Sequence, residues 1–123
     1  MNNNYVTEAI NLKSYSLNDA DKIMLMYSKD SGLIKGVAKG IKKPKSKLGA
    51  RMDLLVANTL QLLKGHSMDT ILQAQTVNNF RHTREDFDKL MYSSYLTELI
   101  VNFGEGSEAA SKEIYELLYK ALN

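Results

Sequence analysis

Between Tyr5 and Tyr15 apolar and polar residues alternate, with Val6, Ile10 and Leu12 on one face and Thr7, Asn11 and Lys13 on the other. A period of two marks a strand. Residues 16–21 are polar and read as a loop. The alternation resumes at Ile23, Leu25 and Tyr27 and breaks at the turn signal Asp30-Ser31-Gly32. It continues with Leu33, Lys35, Val37 and Lys39 on one face and Ile34, Gly36 and Ala38 on the other, which predicts a hairpin. Gly36 and Gly40 leave room for a bend or bulge. Further on, Leu54, Val56, Leu60 and Leu62 share a face of a long strand. Residues 64–69 form a turn. Residues 70–77 form a fifth strand, with Gln73 and Gln75 on one face and Leu72 and Ala74 on the other. Five strands with points for curvature predict a small closed or nearly closed barrel, which removes exposed edges.

The period then becomes helical. Thr83 is the expected N-cap, with Glu85 and Asp86 in the first turn and Asp86 at the third helical position of a capping-box-like pattern. Phe87, Leu90, Met91, Leu96, Leu99, Ile100 and Phe103 form a wide apolar stripe, and Gly104 and Gly106 end the helix. Ser107 is placed to cap a second helix carrying Ala110, Ile114, Leu117, Leu118 and Ala121. The two are expected to pair as an α-helical hairpin. Their apolar surface is large for so few elements, which suggests a minimal or truncated form of something longer.

Charge divides the chain. Residues 1–84 hold 13 Lys and Arg against 6 Asp and Glu, whereas residues 85–123 hold 3 against 8. The basic excess peaks between Lys35 and Arg51, a stretch with seven basic residues, no acidic one, three glycines and the chain's single proline. Gly40, Pro44 and Gly49 interrupt regular structure, so an exposed loop is expected there. Crowded ammonium groups repel one another unless an anion relieves them, and a nucleic-acid backbone does so with release of counterions. The plainer reading is a solvated loop that keeps the protein soluble. The expected nucleic-acid-binding residues are Lys35, Lys39, Lys42, Lys43, Lys45, Lys47 and Arg51, with Lys13 or Lys64 joining if the barrel curls them near. Tyr5 and Tyr15 are candidate stacking platforms, while Tyr27 falls on the apolar face and reads as core.

The other side chains argue against catalysis. There is no cysteine, hence no disulfide, no thiol chemistry and no cysteine-based zinc site. No Gly-rich phosphate-binding motif occurs. His66 and His82 stand alone, Asp19 and Asp21 fit a polar loop, and Glu85, Asp86 and Asp88 complement a helix dipole. No nucleophile has a recognisable base beside it, so no enzyme is expected, and no cofactor. The N-terminal Met-Asn-Asn-Asn-Tyr lacks the features of a signal peptide. No apolar run approaches the roughly 18 residues needed to cross a bilayer. A cytoplasmic, soluble protein with no membrane contact is expected.

Several segments together resemble the N-terminal region of the bacterial recombination mediator family RecO. They are Ala9-Ile10-Asn11-Leu12-Lys13, Asp21-Lys22-Ile23, Ser31-Gly32-Leu33-Ile34 and the run from Val37 through Lys42-Lys43-Pro44-Lys45-Ser46-Lys47 to Gly49. Leu60–Gly65 is similar to the family's fourth strand, and Arg84–Leu99 to the opening helix of its helical domain. The resemblance implies a five-stranded OB-fold barrel over residues 1–80 and the start of an α-helical domain over 81–123. It implies binding of single- and double-stranded DNA, annealing of complementary strands and recombinase loading in DNA repair. It implies RecR and single-strand-binding protein as partners, the latter through an acidic tail received in a later domain. Family members are longer, and many carry a four-cysteine zinc module that has no counterpart here. Two other readings remain open from the residues. One is a protein-interaction module taking an acidic peptide or partner subunit on the basic surface; the other is an RNA-binding OB protein.

Overall fold

The computed structural model describes residues 3–123. Five strands, β1 (Asn4–Ser16), β2 (Lys22–Ser28), β3 (Gly32–Ala38), β4 (Ala57–Leu63) and β5 (Asp69–Asn78), close into a barrel in the order β1-β2-β3-β5-β4. This is the OB arrangement. Its longest strand, β1, pairs with β4 along its first half and β2 along its second. It manages both because the register shifts between Asn11 and Lys13. That bulge bends the strand and reverses the alternation. Lys13 therefore lies opposite Leu25 on the outer face, whereas strict alternation would have kept it on the face of Asn11.

Closure depends on the one parallel pairing, Gly36 with Asp69 and Val37 with Thr70. A Cβ at Gly36 would lie 2.9 Å from Ile71 Cγ1 and 3.1 Å from Met26 Cε, so only glycine lets β5 approach β3 here. At the β2–β3 turn, Gly32 takes φ +72° and Ser28 Oγ donates to its carbonyl at 2.9 Å, the tight hairpin expected of Asp30-Ser31-Gly32.

The barrel interior is filled by Ala9, Met24, Met26, Leu60, Leu62 and Ile71. Leu48 and Met52, from the long β3–β4 connection, plug the same core. Full burial of side chains such as Leu60 and Leu62 stabilises by about 2 kcal/mol each. Strand β4 begins at Ala57, so the long strand expected from Leu54 is corrected. Residues 49–52 form a 3-10 turn, Leu54 is exposed, and Leu55 has a left-handed backbone at φ +59°.

Three helices follow: α1 (Arg81–Glu85), α2 (Phe87–Phe103) and α3 (Ser111–Leu122). The helix start is also corrected. Thr83 lies buried inside α1, donating from Oγ1 to the Leu122 carbonyl, and Asp86 caps α2 by accepting from the Lys89 amide at 3.2 Å. A second core joins helices to barrel: Ile10, Leu12, Tyr27 and Ala57 pack with Phe80, Tyr115, Leu118 and Leu122. Tyr27 is core, as its phase suggested, with its hydroxyl 2.8 Å from Ser107 Oγ. Ser107 Oγ also donates to the Gly104 carbonyl, so its side chain is committed to these two contacts, and α3 starts at Ser111, whose hydroxyl donates to the Lys29 carbonyl. Tyr115 is buried and donates to Glu8 Oε2 at 2.7 Å; burial first, and then this carboxylate, push its phenol well above the ordinary range.

Candidate nucleic-acid interface

The basic stretch is an anchored connection. Gly40 turns at φ +69°, which aims its amide at Asp21 Oδ1, 2.7 Å away. The Lys42 amide donates to the Ala20 carbonyl at 3.0 Å. Asp21 is thereby a clasp between the β1–β2 loop and the connection. The Gly40 amide first, and then Asn18, hold its carboxyl below the usual carboxylate range. Ile41, Leu48 and Met52 pack on the barrel core from within the connection. At its far end, the fully buried Asn11 donates from Nδ2 to the Arg51 carbonyl at 2.8 Å and the Asp53 carbonyl at 2.9 Å. Asn58 adds a third such bond to Arg51 at 2.7 Å. Apolar and polar anchors thus alternate with the lysines, which are left on the outside.

The structure sorts the expected residues into groups. Lys39, Lys43, Lys45 and Lys47 line a groove of about 450 Å³ between the connection and the start of β5, floored by Leu48 and Leu72. Among the described residues, none of these four forms an ion pair. Lys42 does not join them, although the same run contains it: its ammonium is tied to Ser16 Oγ and, at 2.7 Å, to the Asn18 carbonyl. Lys13 and Lys35 flank Leu25 in one outward row across β1, β2 and β3. Lys35 is exposed. Lys13 sits 3.9 Å from Glu98 and 5.7 Å from the centre of the Tyr15 ring. Tyr15, 43% exposed, remains available for stacking. Tyr5 does not: it is half-buried against the barrel core, and its hydroxyl donates to the buried Asp69. Lys64 lies 5.9 Å from that ring's centre, beside Tyr5 rather than in the groove.

Arg51 lies beyond the groove. Its guanidinium donates to the Lys47 carbonyl and lines a second cavity of about 510 Å³, together with Thr76, Asn79 and Arg84. Arg84 escapes a sequence reading because it looks like an ordinary first-turn residue of a helix. The available signal is its position as the last basic residue before the acidic segment.

Among the described residues, no group of three or more His, Cys, Asp or Glu is arranged to hold a metal ion. The four-cysteine zinc module has no ligand in a chain without cysteine. His66 and His82 are exposed. No helix among the described residues is long and apolar enough to cross a membrane.

Comparison with known proteins agrees with the barrel. The family described as "Recombination protein O N terminal" matches residues 1–80. The chain is similar to the protein named DNA repair protein RecO from Nostoc punctiforme, with 38% identity over 123 residues, covering all of this chain and 41% of that protein. It is 41% identical to the Acaryochloris marina protein of that name over 99 residues, covering 80% of this chain and 34% of the relative. The Rubrobacter xylanophilus protein of that name is 31% identical over 119 residues, covering 97% and 47%. The chain thus spans between a third and a half of the length of these relatives. With a family match over most of its length and an OB barrel to carry it, the chain belongs to the RecO family.

Proposed function

We propose that this chain is the DNA-contacting part of a non-catalytic recombination mediator acting in DNA repair in the cytoplasm. The observation that carries the reading is the groove of Lys39, Lys43, Lys45 and Lys47, four cations unpaired among the described residues on a connection pinned to the barrel. Such a surface lowers the repulsion between phosphate backbones, so that two complementary strands can approach and pair. Lysine is a point charge without the bidentate geometry that reads a base edge, so binding to single- and double-stranded DNA is tolerant of sequence. Lys13, Lys35 and Tyr15 supply a second contact on the outer sheet, where a base can stack between charges. The relatives' name, DNA repair protein RecO, supports the cellular role. Recombinase loading, and contacts with RecR and with the acidic tail of single-strand-binding protein, are proposed for the full-length protein.

The groove's mixed floor also suits an acidic peptide, so the test sets the two against each other. Annealing of two complementary labelled strands is followed by energy transfer, with and without a competing acidic peptide. The expected outcome is faster annealing with the wild type and loss of the effect when Lys39, Lys43, Lys45 and Lys47 are all changed to Gln. Binding of the peptide alone, with no effect on annealing and no oligonucleotide binding, would replace DNA with a protein partner. Equal binding of RNA and DNA of one sequence would broaden the substrate to nucleic acid in general.

A further inference from the structure

We propose that the cavity between the 3-10 turn, the end of β5 and α1 is a phosphate subsite for single-stranded nucleic acid, with Arg84 as its main receiving side chain and Arg51 beside it. The proposal rests on the DNA-binding reading above and extends it to residues outside the basic run.

Arg84 is held by backbone. Its Nε donates to the Asn79 carbonyl at 2.7 Å, and a terminal nitrogen donates to the Leu54 carbonyl. Each carbonyl belongs to the residue just before one with a left-handed backbone, Phe80 at φ +51° and Leu55 at φ +59°. These are the non-glycine residues with positive φ among those described. Both side chains are buried, Phe80 at 2% and Leu55 at 6% exposure, and their packing holds the turned backbone in place. The result is a guanidinium whose plane is fixed by two bonds, which leaves three of its five N–H donors uncommitted by these contacts. A planar, pre-oriented guanidinium is suited to a phosphate.

One contact ties the cavity to the basic connection: the Arg51 guanidinium, which lines the cavity, donates to the carbonyl of Lys47, which lines the groove. Thr76 and Asn79 place polar groups on the same wall. Asp53 also lines it and opposes an anion, which makes it a useful probe.

The alternative is that Arg84 only clasps two turned segments together. Fluorescence anisotropy with a labelled oligothymidylate across a salt series separates the two, using the wild type, Arg84→Gln, Asp53→Asn and a triple Lys43, Lys45 and Lys47→Gln variant. Arg84→Gln is expected to weaken binding about threefold to tenfold and to lower the magnitude of the salt slope by about 0.7, the loss of one single-strand phosphate contact. Asp53→Asn is expected to tighten binding about threefold, since it removes an opposing charge from a phosphate's surroundings. A purely structural clasp would not produce that gain. Unchanged affinity and slope in both variants, with the lysine variant still impaired, would overturn the subsite and leave DNA binding standing. No binding by the wild type would overturn the DNA reading and the subsite with it. If Arg84→Gln does not fold, Asp53→Asn decides: tighter binding supports the subsite and unchanged binding overturns it.

Discussion

Asp21 joins two segments that lie outside the sheet, the β1–β2 loop and the basic connection, and its effect depends on its charge. Because its carboxyl titrates below the ordinary value in the folded protein, the stabilisation it gives is present above that value and is lost as pH falls through the lowered one. The Gly40 amide is therefore expected to keep its protection from hydrogen exchange at neutral pH and lose it only under acid conditions, below the ordinary carboxyl value of 3.8. In Asp21→Ala the protection is absent at every pH. Retained Gly40 protection in that variant, followed by NMR, would show that Ile41 and Leu48 hold the connection without the clasp. The same scale shows where a sequence of lysines misleads. Lys42 and Lys43 are neighbours, yet one is tied to Ser16 and Asn18 and the other lines the groove. Tyr5 carries the composition of a stacking residue but donates to Asp69. No property of a side chain read alone distinguishes these cases, because the partner comes from a distant part of the chain.

Gly36 is the element-scale counterpart, since the barrel closes where β5 passes it. Gly36→Ala places a methyl 2.9 Å from Ile71 Cγ1 and is expected to cost about 1–3 kcal/mol, measured by denaturant unfolding. A variant as stable as the wild type would mean that the β3–β5 pairing is not needed for closure. The sequence located β2, β3 and their turn because the apolar run Ile23–Tyr27 and the residues from Leu33 are separated by the turn signal Asp30-Ser31-Gly32. Period-two alternation misplaced the start of β4, since a 3-10 turn and a left-handed Leu55 leave no periodic trace. It could not reveal the extra residue in β1 that puts Lys13 in a row with Leu25 and Lys35. The helical pattern was visible, but Thr83 and Asp86 are both capping types, and the break between α1 and α2 falls at the second. The third helix is shifted in phase: Tyr115, Leu118 and Leu122 are buried while Leu117 is 68% exposed. The basic run itself was plain in the sequence. Its division into a groove, a tied lysine and an outer row was not, and Arg84 lay outside it altogether.

At the scale of the whole molecule, one side of α2 is left open. Helix α2 buries Ser93 and Thr97 and half-buries Leu90, Leu96 and Ile100, while Phe87, Met91, Tyr92, Tyr95 and Phe103 on its other side are each more than half exposed. An apolar face of this kind favours association. The 123-residue chain is expected to bind a hydrophobic dye and to show a mass that rises with concentration in light scattering, both reduced in Tyr95→Glu. A monomer at all concentrations without dye binding would contradict this. The opposite side of the chemistry belongs to the basic connection, and the account stands or falls on whether that surface binds phosphate. The most direct measurement is the affinity for a labelled single-stranded oligonucleotide across a salt series, for the wild type and for the variant with Lys39, Lys43, Lys45 and Lys47 changed to Gln. Neutralising four to six phosphates predicts a slope of log K against log salt of about −3 to −4 for the wild type, shallower by about 2.8 for the variant, which loses four cations. A wild-type slope near zero, or a variant that binds as tightly and as steeply as the wild type, would contradict a DNA contact on this connection.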